Sequence, residues 1–96
     1  MSAYLIVDVE VHDADAYRGY QQRVADTFAP FGGQFMVRGG SLETLEGNWS
    51  PKRLVILQFP SVEQAKAWYH SPEYQAILPL RLQHATTHFL SIVDGV

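Results

Sequence analysis

Residues 53–74, RLVILQFPSVEQAKAWYHSPEY, decide the fold. The first seven, Arg53 to Phe59, are β-branched and apolar almost throughout, which reads as a strand lying inside a sheet rather than at its edge. Pro60-Ser61 ends it. Ser61 with Gln64 forms the S-x-x-Q signature of a capping box, and Val62, Ala65, Trp68 and Tyr69 then recur at helical spacing. Ser71-Pro72 restarts the chain, with Ser71 as N-cap and Pro72 at the first helical position. Tyr74, Ile77 and Leu78 are the apolar side of that second segment, which Pro79 is expected to disturb or end.

The same strand-then-helix order precedes it. Residues 4–11, YLIVDVEV, read as a strand. Asp13 offers an N-cap oxygen to a helix with Tyr17, Tyr20, Val24 and Phe28 on one apolar stripe, and Pro30 with Gly32-Gly33 stops it. Gln34 to Arg38, QFMVR, is a second strand, broken by Gly39-Gly40. A polar connection follows, too long for a tight hairpin turn; it reads as a flap, a functional loop or a dimer-forming loop. TTHFLSIV, 86–93, is the last strand. The order β-α-β-β-α-β is the split βαβ pattern. The expected fold class is therefore α+β, a ferredoxin-like sandwich with a four-stranded antiparallel-type sheet, in one domain spanning residues 1–96.

Composition narrows the function classes. Ninety-six residues supply one core. There is no cysteine, so disulfides, thiolate nucleophiles and thiolate metal sites are excluded. Net charge is -3 and the seven Lys and Arg residues are scattered, without the basic face that nucleic acid requires. No stretch approaches a membrane span, and the start of the chain lacks a basic segment before its apolar run. The expectation is a cytoplasmic protein with neither nucleic-acid nor membrane partners. The four histidines show no metal-ligand spacing, so no metal and no cofactor are expected.

Both parities of the strands are mostly apolar. One carries Leu5, Val7, Val9, Val11, Phe35, Val37, Val55, Leu57, Phe59, Phe89 and Val93. The other carries Tyr4, Ile6, Met36, Leu54, Ile56, Leu90 and Ile92. Helices cover one face, and the other needs a cover for which a second copy of the chain is the simplest candidate. A homodimer is expected.

Several strings taken together, Phe31-Gly32-Gly33, Arg38-Gly39-Gly40, Leu45-Glu46-Gly47-Asn48-Trp49, Phe59-Pro60-Ser61 and Ser71-Pro72-Glu73-Tyr74-Gln75, resemble the domain-of-unknown-function 1330 family across nearly the whole chain. The resemblance implies a dimeric α/β-barrel, in which two ferredoxin-like sheets face each other. It implies no particular activity: related barrels include cofactor-free monooxygenases, cyclases, isomerases and haem enzymes. Family members often carry V-I-E-F before the P-S, and Gln58 stands where that Glu is expected, so a general base cannot be carried over to it.

The candidate site comes from topology. With strand order 4-1-3-2, and strands one and three taken as parallel, Asp8, Glu10, Gln58, His88 and Gln34 fall at one end of one face. His88 with Asp8 is the candidate catalytic pair, since a carboxylate can orient an imidazole for proton transfer; a polar rim facing water is the alternative. Arg38, Arg53 and Arg81 are candidate ligands for an anion, or partners of Glu43, Glu46 and Glu73. Gln58 and Tyr74 complete the candidate binding set, Tyr74 because its ring ends in a polar group. Trp68 reads as core. The functional expectation is a small-molecule-binding barrel, with cofactor-free catalysis on a small organic or anionic substrate left open. The alternative is a non-enzymatic dimerisation or binding module.

Overall fold

The computed structural model describes residues 2–96. The elements are β1 (Ala3–Val11), α1 (Ala14–Phe28), β2 (Gln34–Arg38), β3 (Leu54–Phe59), α2 (Val62–Tyr69), α3 (Pro72–His84) and β4 (Ala85–Asp94). Each helix starts at the expected cap. Asp13 Oδ1 accepts from the Ala16 N–H at 3.1 Å, Ser61 Oγ from Gln64 at 3.1 Å and Ser71 Oγ from Tyr74 at 3.2 Å, each satisfying one orphan donor of a first turn. A single 3₁₀ turn, Ala29–Phe31, follows α1 and ends on Gly32 at φ 79°, where a side chain would be strained.

The sheet order is β2-β3-β1-β4, with every neighbouring pair antiparallel. This confirms the α+β fold and corrects the strand directions. β1 and β2 run one way, β3 and β4 the other. The reason lies in the connections: a helical crossover returns the chain to the end where the preceding strand began, so β1 and β2 are parallel in direction. β3 and β4 are related in the same way through α2 and α3.

Pro79 does not end its helix. α3 continues to His84, although Pro79 has no N–H to offer the Gln75 carbonyl. Beyond it, Arg81 is buried and held by side-chain bonds to Tyr74 and Thr87. Tertiary anchoring outweighs the one lost helical bond.

Two register shifts redistribute the faces. In β1–β4 pairing, Asp8 faces Phe89 but Val9 faces Thr87, which leaves His88 as the extra residue. In β2–β3 pairing, Phe35 faces Leu57 but Val37 faces Ile56, which leaves Met36 out. A bulge moves the residues beyond it to the other face. Val37 therefore lies on the outer face and Arg38 on the inner one. β4 also sits in the register opposite to expectation: Leu90 and Ile92 face Val7 and Leu5, while Phe89 and Val93 face outward.

The inner face packs on the helices. Leu5, Leu57 and Phe59 meet Val24 and Phe28 of α1 and Trp68 of α2 in one buried cluster. Trp68 is core, as its spacing implied; its indole N–H donates to Thr27 Oγ1 at 2.9 Å. The slab measures 36 × 34 × 17 Å, two layers deep. Its outer face holds Tyr4, Ile6, Val37, Leu54, Ile56 and Phe89, all only partly buried. The connection between β2 and β3 brings Trp49 to a ring distance of 6.5 Å from Phe89 on that face, while Leu45 is 85% exposed.

Candidate functional site

A cavity of about 280 Å³ lies between the inner sheet face and α1. Its body is apolar: Leu5, Val7, Val24, Leu57, Trp68 and Leu90. Its polar groups gather at one end, and they are Arg38, Arg53, Arg81, Tyr17, Tyr20 and Gln21. The strand directions explain the gathering. β1 and β2 finish at this end, β3 and β4 begin there, and α1 starts there. Arg38 closes β2, Arg53 precedes β3, and Thr87 near the start of β4 receives Arg81.

The three guanidinium groups form a gradient of burial. Arg38 is exposed at the mouth and rests over the Phe35 ring at 4.0 Å, a cation–π contact. Arg53 is half-buried, and Arg81 is buried to 3% exposure. Arg53 lies against the backbone of Gly39, where a Cβ would collide with its guanidinium. Gly39 also has φ 67°, a backbone conformation that favours glycine, while the Arg53 guanidinium could swing aside from a side chain there. A shallow vestibule lined by Glu10, Gly39 and Lys52 shares Val9, Tyr17, Gln21 and Arg53 with the cavity.

Arg81 is held on two sides. Its Nε donates to Tyr74 Oη at 3.3 Å and its Nη1 to Thr87 Oγ1. Tyr74 Oη shares a 2.8 Å hydrogen bond with Tyr20 Oη. Among the described residues no carboxylate pairs with Arg38, Arg53 or Arg81; the ion pairs are Arg18–Asp15 and His88–Glu10. Every side-chain N or O atom sealed from solvent has a partner among the described residues. Arg81 Nη2 and the Tyr17 hydroxyl have no hydrogen bond there, so both are reached through the cavity they line.

Burial pushes the Tyr17 phenol up, against the opposing pull of the nearby Arg81 and Arg53 charges. Burial, followed by the charge and hydrogen bond of Tyr74, pushes Tyr20 well up. For Arg81, burial acts downward, but the tyrosine oxygens around it, Tyr74 foremost, outweigh it and the net shift is upward. At neutral pH the site therefore presents neutral phenols and a full positive charge. Its lining includes no carboxylate, imidazole or amine. It can neutralise an anion and donate hydrogen bonds.

The expected end cluster separates. Asp8, Glu10 and His88 share one end of the outer face; none lines the cavity, and Glu10 borders its vestibule. Gln58 is at the far end, where it accepts from Gln34 at 3.1 Å and donates to Ser2 Oγ at 2.8 Å. His88 Nε2 lies 3.1 Å from Glu10 Oε1, and no hydrogen bond joins it to Asp8. Asp8 Oδ1 instead accepts from the backbone N–H groups of Lys52 and Arg53, at 3.0 and 3.4 Å. Of the seven candidate residues, Arg38, Arg53 and Arg81 line the cavity, Tyr74 stands directly behind it, and Gln58, His88 and Asp8 lie elsewhere. Tyr17 and Tyr20 passed as core residues in the sequence. Among the described residues, no group of three His, Asp or Glu side chains has the arrangement of a metal site, and no helix is long and apolar enough to cross a membrane.

The model of the family described as Domain of unknown function (DUF1330) matches residues 2–96. The chain belongs to that family. A search of curated proteins returned no match. Solved structures with the same fold include a protein of unknown function from Rhodopseudomonas palustris, 19% identical, with TM-score 0.77 over 99% of this chain and 82% of that one. SnoaB, a cofactor-independent oxygenase from Streptomyces nogalater, is 12% identical, with TM-score 0.67 over 99% of this chain and 93% of its own. HapK from Hahella chejuensis is 12% identical, with TM-score 0.63 over 98% and 92% of the two chains. This DUF1330 chain thus shares the ferredoxin-like fold of the dimeric α/β-barrel proteins.

Proposed function

We propose that this chain is a homodimeric small-molecule-binding protein whose sheet–helix cavity holds a small organic anion. The observation that carries the reading is Arg81. A buried guanidinium without a carboxylate partner is costly, and this one has a free Nη2 at a cavity whose body is apolar. A ligand that brings the missing negative charge offsets that cost on binding. Arg53 and Arg38 continue the positive potential to the mouth, where it draws anions in.

The second copy follows from the outer face. Ile6, Leu54, Ile56 and Phe89 make an apolar surface on two-layer protein, and Trp49 folds towards its rim. Two such faces apposed bury both, the arrangement after which the superfamily is named.

A cofactor-independent oxygenase among the structures of like fold supports an enzymatic form of the same reading. In that form the arginines stabilise negative charge that develops on the substrate, without cofactor. The lining supplies that stabilisation and no side-chain base, so the weight of the geometry falls on binding.

The test has two arms. Sedimentation equilibrium at micromolar concentration is expected to give twice the chain mass, and a monomer there overturns the barrel. Protein purified from its native host and denatured is expected to release a small anion seen by negative-ion mass spectrometry. The same extract from Arg81→Met protein should lack it, and its persistence there places the ligand outside the cavity.

A further inference from the structure

We infer that the cavity selects a single-ring monocarboxylate, with the carboxylate seated between Arg81 Nη2 and the Tyr17 hydroxyl. The inference rests on the cavity being the binding site and goes on to name the chemical class of its occupant.

Charge sets the number of anionic groups. Arg81 is the one guanidinium at the site that is buried to 3%, and it has two of its donor positions already engaged, by Tyr74 and Thr87. One Nη2 remains. Tyr17, 4% exposed, adds one hydroxyl without a partner. Arg81 Nη2 and the Tyr17 hydroxyl, lining the same cavity, can each donate to an oxygen of a carboxylate. A phosphate presents a third oxygen and more charge, and the guanidinium groups left to match that charge, Arg53 and Arg38, are half-buried and exposed. Arg53 is near enough to influence Tyr17 electrostatically and adds a second positive charge without being spent on the same oxygen.

Volume and lining set the rest. An apolar cavity of about 150 Å³ takes benzene. This one, at about 280 Å³, has room for one ring, a carboxylate and a short substituent, and lies just below the usual range for larger ligands. Val24, Leu57, Trp68 and Leu90 offer the ring an apolar bed between sheet and helix, where its burial drives binding. The neutral state of Tyr17 matters here: a phenolate would repel the carboxylate, and burial keeps the proton on.

Benzoate and its neutral isostere benzamide test the assignment by isothermal titration calorimetry on the full chain. Benzoate is expected to bind saturably and at least about 30-fold more tightly than benzamide. Tyr17→Phe should weaken benzoate about tenfold, as expected for losing one hydrogen bond to a charged group, and leave benzamide within about twofold. Arg81→Met should erase the preference between the two probes. Should Arg81→Met fail to fold, Tyr17→Phe, which changes one oxygen atom, carries the test by itself. Benzamide binding as tightly as benzoate overturns the carboxylate assignment and leaves the cavity a binding site. Saturation by neither probe, with the protein shown folded by its melting curve, overturns the assignment and the binding site together.

Discussion

Two polar clusters stand at the same end of the sheet, on opposite faces. On the outer face, Asp8 accepts two backbone N–H groups and His88 meets Glu10. On the inner face, Arg81 and Tyr17 each keep a donor that no described residue receives. A polar side chain that completes its own hydrogen bonds explains itself by holding the fold. One whose free donor opens onto a largely apolar cavity is left for whatever enters to complete. By that criterion the outer cluster is structural and the inner one is the candidate site.

The sharpest way to break this contrast is Asp8→Ala. Asp8 is 6% exposed and anchors the segment that delivers Arg53 to the cavity. Its loss should cost about 2–3 kcal/mol, the range for hydrogen bonds to a charged group, seen as a lower midpoint in urea melts with an unchanged slope. Asp8→Asn, which keeps an acceptor, should recover part of it. A change below about 0.5 kcal/mol for Asp8→Ala would deny the residue its structural role.

Arg81→Met should move stability the other way. Similar-volume hydrophobic replacements of buried charges are often neutral or stabilising, so the unliganded protein should hold its melting point or gain about 1 kcal/mol. A loss beyond about 2 kcal/mol would mean that the bonds to Tyr74 and Thr87 make Arg81 a structural residue, and the two faces would no longer differ.

Alkali probes the inner face at a smaller scale. Tyr20 and Tyr17 have folded-state pKa values raised by burial. A raised pKa means that the folded state holds its proton more tightly than the unfolded one. The associated stability is fully present below the unfolded value of about 10 and is lost as pH climbs beyond it. Melting temperature should fall above about pH 10, and Tyr20→Phe should shallow that fall; an identical alkaline slope would show that Tyr20 does not carry it.

How much of this was legible in the chain depends on the range of the signal. The caps at Asp13, Ser61 and Ser71 are local and read directly, as did the element order and the strand sequence across the sheet. Register is not local. Nothing in TTHFLSIV indicates that His88 is skipped by the pairing, and the bulge at Met36 sends Arg38 inward without any mark in QFMVR. The strand directions were recoverable, because helical crossovers impose them; the wrong assignment placed Gln58 beside Asp8, when it belongs at the far end. The cavity also left a trace. Arg81 continues the stripe of Tyr74, Ile77 and Leu78 at helical spacing, so a charge sits where apolar residues should. Tyr17 and Tyr20 put hydroxyls on a stripe that Leu or Phe would fill with less desolvation. Pro79, read as disturbing or ending the helix, hid the first of these signals by separating Arg81 from the stripe.

The smallest expected effect closes the contrast from the outer side. His88 and Glu10 are each more than 40% exposed in their side chains, so water screens their attraction and competes for both partners. Exposed ion pairs of this kind contribute roughly 0–1 kcal/mol, and this one carries full charge only when His88 is protonated. As the residue skipped at a bulge, His88 also has no cross-strand partner whose packing it supports. His88→Ala should therefore change stability by less than about 0.5 kcal/mol near neutral pH and leave benzoate affinity within about twofold, since that side chain reaches neither the cavity nor Arg81. A tenfold loss of affinity at unchanged stability would place the functional group on the outer face after all, and the rule that incomplete partners mark the site would fail for this fold. Dissociation of the proposed dimer would instead assign His88 to an interface between two sheets, where pairing with Glu10 would be buried by the second copy and worth more than an exposed pair.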